Sequence, residues 1–440
     1  MHHFLRRLAG VSAIALLSVV CGAAQDSQPA QNAPAAPEAK KKNYKDQQEY
    51  TLYDSASKEA DPAKRLQTLN TWKEKYADSD FKEERLKLYL DTYQKLGQPA
   101  KMIDTAKEIL GIDPKDVTAL YWITFLAPSS GGNSADALAT ASKAANGLLA
   151  AEKPAGTPDD AWKTAKGTFD ATAYKTLGWV AMVQKSYADS EQNFKKSLQV
   201  DPKTGEVAYW LGQVLLAHSI AEKKPDMQSE ALFYFARAAA YDGQGALNPE
   251  GRKKVDDYLT KAYSTLHGDT SGLADVKTLA KTNATAPADF KIKTASEIAS
   301  EKEEELKKTN PELALWLNVK GQLLSPEGQQ YFDSSMKGAQ VPKLKGWVVK
   351  ANPGVKSKEL LVSMEGKDQA PNVTLKLVGA DGTTAAPLSG KPELGDEIAF
   401  EGVGDSFTKD PFMVTFTIEQ SKITGLKVEK VAPVVHHKKG

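Results

Sequence analysis

Apolar positions along the chain follow two regimes. From Asp46 to Thr285 they recur every three or four residues, as in Tyr50, Tyr53, Leu66, Leu69 and Trp72. That is the spacing of one helix face. The segments come in pairs separated by Gly, Pro or Asp, so helical hairpins are expected. Helical spacing returns in a charged stretch from Phe290 to Lys308, and again from Glu312 to Leu324. In the second stretch Leu313, Leu315, Trp316, Val319 and Leu323 supply the apolar side. Asn310-Pro311 should separate these two helices, because a residue before proline is pushed out of the helical region. A last short helix is expected at 328–337. From Lys343 onward the pattern changes to short runs rich in β-branched and aromatic residues, at 345–350, 360–364, 373–378, 397–402, 413–418 and 423–428. Gly, Pro, Asp and Asn separate them. The fold class is therefore α+β multidomain: a solenoid of helical hairpins followed by a small, mostly-β barrel or sandwich.

The helical region repeats itself. Leu177-Gly178 recurs as Leu211-Gly212, a spacing of 34 (211 − 177), and Asp113-Pro114 recurs as Asp201-Pro202. Pro62-Ala63-Lys64 returns as Pro99-Ala100-Lys101. The clearest unit runs from Ala171 to Thr204. There Gly178 lets the second helix approach, Ser190 sits against that gap, Phe194 fills the seam, and Pro202 ends the unit. With this period and these residues the region resembles the tetratricopeptide (TPR) family. The resemblance covers about 240 residues. It is tightest at Ala171–Thr204 and Gly205–Tyr241 and looser at the units starting near Asp46, Glu83, Val117 and Asn248. In the Gly205 unit the turn is expected to be some seven residues longer than usual. A loop is expected from Leu149 to Asp170, which holds Pro154, Gly156 and Pro158. The order of strands in the C-terminal part resembles an oligonucleotide/oligosaccharide-binding (OB) barrel.

The two ends add an address. Arg6 and Arg7 precede ten apolar or small residues, Val11–Val20, and Gly22-Ala23-Ala24 follows. A basic start, a short apolar run and a small-residue exit are the parts of a secretory signal peptide, here 1–24. Cys21, the one cysteine in the chain, is a second option as a lipid anchor, although Ser18 and Val20 depart from the usual lipoprotein signal. Residues 25–44, rich in Ala, Pro and Gln, are expected to be a disordered linker. The helical repeats then occupy 45–287, connecting helices 288–340, the β domain 341–430 and a disordered tail 431–440. No later run is apolar and long enough to cross a bilayer. Export to the periplasm or cell envelope of a Gram-negative-type bacterium is the expected location.

Charge and chemistry narrow the function. Lys and Arg total 57 against 56 Asp and Glu, so no global field draws the chain to nucleic acid. The β region holds twelve Lys against twelve acids between Val341 and Lys430. Trp347, Phe407 and Phe412 there are candidates for stacking on a ligand or for the core. The sequence contains no phosphate loop, Gly-x-Ser-x-Gly elbow or His-Glu-x-x-His. His218 and His267 lie on separate repeats without a local ligand partner. No catalytic residue, metal or cofactor is expected, and the chain is not expected to be an enzyme.

A protein or peptide partner is the remaining expectation. TPR proteins contact ligands from set places on the first helix of each hairpin, and the resemblance carries these to Lys175, Trp179 and Met182 in one unit and to Glu206, Tyr209 and Gln213 in the next. Tyr121 and Phe125 join from the Val117 unit. Trp179 stands where carboxylate-gripping members carry Asn, so an apolar peptide or helix is expected in the groove. Two options stay open: a partner occupies this face, or the 149–170 segment or the helix around Trp316 covers it. Leu177, Gly178, Phe194, Pro202, Leu211 and Gly212 are structural places of the repeat. The competing function is carbohydrate or cell-wall binding through the β domain.

Overall fold

A computed structural model describes residues 42–429 of the chain. The expected signal peptide, Cys21, most of the linker and the tail lie outside the described residues. The chain forms two compact units that divide between Lys293 and Thr294.

The first unit is a row of helices: α1 (Gln47–Lys58), α2 (Pro62–Lys75), α3 (Lys82–Lys95), α4 (Pro99–Ile112), α5 (Val117–Ser130), α6 (Ala135–Leu149), α7 (Asp159–Val183), α8 (Tyr187–Val200), α9 (Gly205–Glu222), α10 (Met227–Ala240), α11 (Pro249–His267) and α12 (Leu273–Thr282). Starts are set locally. Pro62, Pro99 and Pro249 occupy first helical turns, where a missing N–H costs nothing. Asp46, Asp61, Asp116, Ser134 and Asn248 accept backbone N–H bonds as caps. Packing runs mainly between sequence neighbours, most heavily α7 with α8 and α9 with α10. This is a helical-repeat architecture.

Two expectations are corrected. The 149–170 stretch is not one loop, because α7 begins at Asp159 and runs for 25 residues. Its added turns bring Trp162 and Phe169 against the α5 cluster. In the next unit the extra residues do not lengthen the turn so much as the helix. α9 continues to Glu222 and only Lys223–Asp226 connect it to α10.

Buried side chains satisfy the backbone where helices meet. Pro128 lies inside α5 and cannot donate to the Thr124 carbonyl. Thr176 of α7 donates its hydroxyl to that carbonyl at 2.8 Å. Ser190 donates to the Gly178 carbonyl at 2.8 Å and Ser197 to that of Ala171 at 3.0 Å. Three buried arginines cap helix ends. Arg65 donates to Glu59 O, Arg85 to Tyr76 O and Trp72 O, and Arg237 to Ala280 O and Pro202 O.

The second unit opens with α13 (Ala295–Thr309), α14 (Pro311–Leu324) and α15 (Gly328–Tyr331), which runs on into a π-helical turn, Phe332–Met336. Thr294 and Glu297 form a reciprocal capping box on α13. The strands are β1 (Leu344–Asn352), β2 (Glu359–Ser363), β3 (Val373–Val378), β4 (Lys391–Pro392), β5 (Glu397–Phe400), β6 (Val403–Lys409), β7 (Phe412–Glu419), β8 (Ile423–Thr424) and β9 (Val428–Glu429). Seven of them form one sheet in the order β6-β7-β3-β2-β1-β5-β8. All its pairings are antiparallel except β3 with β7. β5 pairs with β1 while β6, which follows after two residues, pairs with β7. The short link between β5 and β6 curls the sheet so that its two sides approach each other, as in a small barrel.

The barrel core is filled by alternate residues: Leu344 and Val348 of β1, Leu360 and Val362 of β2, Val373, Leu375 and Leu377 of β3, and Val414, Phe416 and Ile418 of β7. Trp316 and Leu323 of α14, with Phe332 and Met336, belong to the same cluster. The 288–340 stretch is therefore divided. Ile292 is buried in the first unit's core, and the helices after it complete the barrel.

Candidate protein-binding groove

The structure separates the expected groove residues into two groups. Trp179 is only 7% exposed and shares a core cluster with Leu138, Ala141, Val207, Ala208 and Leu211. Tyr121 is 6% exposed, with the Phe169 ring of α7 5.8 Å away. Burial pushes its phenol above the usual range. Met182 packs partly buried against the Trp179 cluster. The Trp316 indole lies in the core of the second unit.

Phe125, Lys175, Tyr209 and Gln213 remain at or near the surface. Phe125 is 46% exposed and stacks on Tyr121 at 5.7 Å. Lys175 reaches from α7 to Glu206 of α9, Nζ to Oε2 2.5 Å, and its ammonium sits 5.1 Å from the centre of the Trp210 ring. Gln213 donates to the Tyr209 hydroxyl at 3.0 Å. Tyr209 and Tyr258 both meet Phe235 edge-on, at 6.0 and 5.0 Å, and Tyr258 is 43% exposed. The first helices thus carry two exposed rings, Phe125 and Tyr258, the partly buried Tyr209, and an ion pair from α7 to α9.

Trp210, Phe169 and Tyr258 are not among the expected groove residues. Trp210 follows Tyr209 directly, so it lies about 100° further round α9. The glycines expected at close approaches lie against rings of the following helix. A Cβ on Gly178 would lie 2.5 Å from the Phe194 ring, and one on Gly212 3.1 Å from that of Phe235. Phe194 and Leu211 are fully buried, Leu177 is partly so, and the Pro202 carbonyl accepts from Arg237.

In the barrel, Phe407 lies 5.1 Å from Phe332 and Phe412 6.2 Å from Trp316. Both rings are engaged in packing. The outward positions of β2, β3 and β7 include Glu359, Leu361, Thr374, Lys376, Val378, Met413, Thr415, Thr417 and Glu419. An open recess on this unit is lined by Pro326, Glu327, Gln329, Gln330, Asp333 and Ser334. The Ser334 hydroxyl donates to the Tyr331 backbone carbonyl at 3.4 Å.

Among the described residues no group of three His, Cys, Asp or Glu side chains is placed to hold a metal ion. No described helix is long and apolar enough to cross a membrane. Comparison with protein-family models and with curated proteins finds no match for this chain.

Proposed function

We propose that the chain is a non-catalytic scaffold of the bacterial envelope whose helical unit is a TPR array that binds a protein or peptide. One observation carries this reading: the exposed rings of Phe125 on α5 and Tyr258 on α11 and the partly buried ring of Tyr209 on α9, with the Lys175–Glu206 pair joining α7 to α9. Aromatic surface on a rigid helical frame is the usual material of binding hot spots. The burial of Trp179 moves the expected contact from that side chain to these. The 34-residue period and the Gly178–Phe194 and Gly212–Phe235 approaches support the TPR reading.

The test is capture from envelope extract by the full chain, compared with a Tyr209→Ala, Tyr258→Ala double variant. Tyr258 is exposed and Tyr209 only partly buried, so the variant should still fold. Loss of a specific captured protein is expected, roughly tenfold or more in affinity for a hot-spot pair. An unchanged captured set rejects the groove.

The second reading is carbohydrate or cell-wall binding by the barrel. The curled sheet with β3 parallel to β7 supports an OB-type assignment, and Thr374, Thr415 and Thr417 on the outer face of β3 and β7 offer hydroxyls to a polar ligand. Retention of residues 294–429 on peptidoglycan would favour it. The fragment must begin at 294 because α14 and the π-helical turn supply part of the barrel core.

A further inference from the structure

Lys42, Asn43 and Tyr44 precede α1 and are seated on the first hairpin as a ligand would be. The Tyr44 ring lies flat on Phe81 at the start of α3, with centroids 4.0 Å apart and planes 8° from parallel. Tyr50 of α1 meets it edge-on at 5.3 Å, and Tyr53 lies 5.7 Å away. The Asn43 backbone N–H donates to Asp80 Oδ2 at 3.2 Å. The Lys42 ammonium reaches Glu84 Oε1 at 2.7 Å and Glu83 Oε2 at 3.8 Å. Lys42 and Tyr44 are two residues apart, the spacing at which an extended segment presents side chains to one surface.

Two features make this occupant replaceable. The core of the hairpin is built from Ala56, Leu69, Trp72 and Tyr89, with Tyr53 and Phe81 packed against it. Tyr44 adds an outer layer over the last two rings. The other feature is Glu84. Lys42 engages one of its oxygens, while Oε2 is buried without a donor among the described residues. An ammonium acts as a point charge, whereas a guanidinium carries two parallel N–H groups that match both oxygens of a carboxylate. Arginine in the place of Lys42 would satisfy the oxygen that lysine leaves open. We propose that the cradle of Tyr50, Tyr53, Phe81 and Glu84 is a docking site for an extended peptide of a partner protein, with arginine two places before an aromatic residue, and that Lys42–Tyr44 fills it until that partner arrives. The tethered segment competes at the high effective concentration of an intramolecular ligand. A partner enters only by binding better, and the arginine fork supplies the margin. The site uses α1 and α3 and none of the rings on α5, α9 and α11, so it is tested separately from the groove.

The experiment is fluorescence anisotropy of a labelled peptide of residues 42–46 carrying Lys42→Arg, titrated with the full chain. The Lys42→Ala, Tyr44→Ala double variant frees the cradle. It should bind the peptide about tenfold more tightly than the wild type, the scale of one aromatic contact and one exposed ion pair. Against this variant, a peptide that also carries Tyr44→Ala should bind about tenfold more weakly, and a peptide keeping Lys42 about threefold more weakly. Adding Glu84→Gln to the protein should remove the preference for arginine. Lys42→Ala alone breaks only a partly exposed ion pair and leaves the hairpin intact. It should bind the arginine peptide about threefold more tightly than the wild type. Equal binding by the wild type and both variants overturns the proposal. So does binding that persists when the peptide lacks its aromatic ring. If Tyr44 serves only to hold α1, neither variant gains affinity, and the proposal fails on that result as well.

Discussion

A methyl group on Gly178 would lie 2.5 Å from the Phe194 ring, too close for both helices to keep their places. Gly178→Ala should cost about 1–3 kcal/mol by overpacking, despite alanine's better helix propensity. Gly212→Ala, at 3.1 Å from the Phe235 ring, should cost less. Urea unfolding of the two variants gives the order. The Thr176 hydroxyl makes a second residue-scale prediction. Thr176→Val leaves the Thr124 carbonyl buried without a donor and should cost about 1–3 kcal/mol. Pro128→Ala restores a donor inside α5. A double-mutant cycle should therefore show that Thr176→Val is less costly in the Pro128→Ala background. The role of Gly178 was legible in the sequence because it follows from local geometry, whereas that of Pro128 inside α5 was not. Nor was the fate of Trp179. Its place in the repeat names a face of α7, whereas its burial depends on neighbouring hairpins that contribute Leu138 and Leu211 to the same cluster.

At the scale of elements, the first hairpin rests on a buried carboxylate. Glu49 of α1 is fully buried, accepting from the Lys45 backbone N–H at 2.6 Å and from the Trp72 indole at 3.1 Å. Burial opposes its charge, but these hydrogen bonds and Ser79 outweigh it and lower its pKa. A depressed carboxyl stabilises the fold above its unfolded-state pKa. That stabilisation is lost as pH falls through the folded value. Glu49→Gln should thus lower the melting temperature at neutral pH more than at acidic pH, shrinking the gap from the wild type as pH falls. Melting curves across that range decide it. Helix existence was mostly readable from periodicity, and the Asn310-Pro311 break falls where expected. The start of α7 was hidden because Pro154, Gly156 and Pro158 read as loop residues. The Pro158-Asp159-Asp160 run is in fact a helix start, with two acids in the first turn. β6 was missed for a similar reason: Gly404, Asp405 and Ser406 are poor strand formers. The strand nonetheless pairs with β7 along its length, and Gly404 lets the π-helical turn approach, its Cβ position being 2.1 Å from Met336 O.

For the whole molecule, the boundary between units is best tested through Trp316. It is 1% exposed in the barrel core, and its indole N–H has no hydrogen-bond partner among the described residues. Trp316→Ala should destabilise the second unit by about 3–5 kcal/mol. Trp316→Phe, which removes the unpaired donor and keeps a ring, should cost much less. Local probes in each unit would show whether the loss is confined to the second. Their separate cores predict that it is. The two-part α+β plan was visible in the change of hydrophobic period. The contribution of α14 to the barrel was not, because amphipathicity shows that a helix has a buried side without naming what buries it.

The parallel pairing of β3 with β7 has a consequence for the order in which the molecule assembles. Val373 meets Val414, 41 residues later (414 − 373), and Leu344 meets Phe400. Helices of the first unit chiefly meet their immediate successors. Local contacts form quickly and distant ones slowly. During synthesis the hairpins can therefore settle one after another, while the barrel waits for β7 to emerge before β3 acquires its neighbour. Until then β3 has an unpaired edge on that side. The molecule is most exposed to mispairing in this interval, late in its production and confined to its C-terminal third.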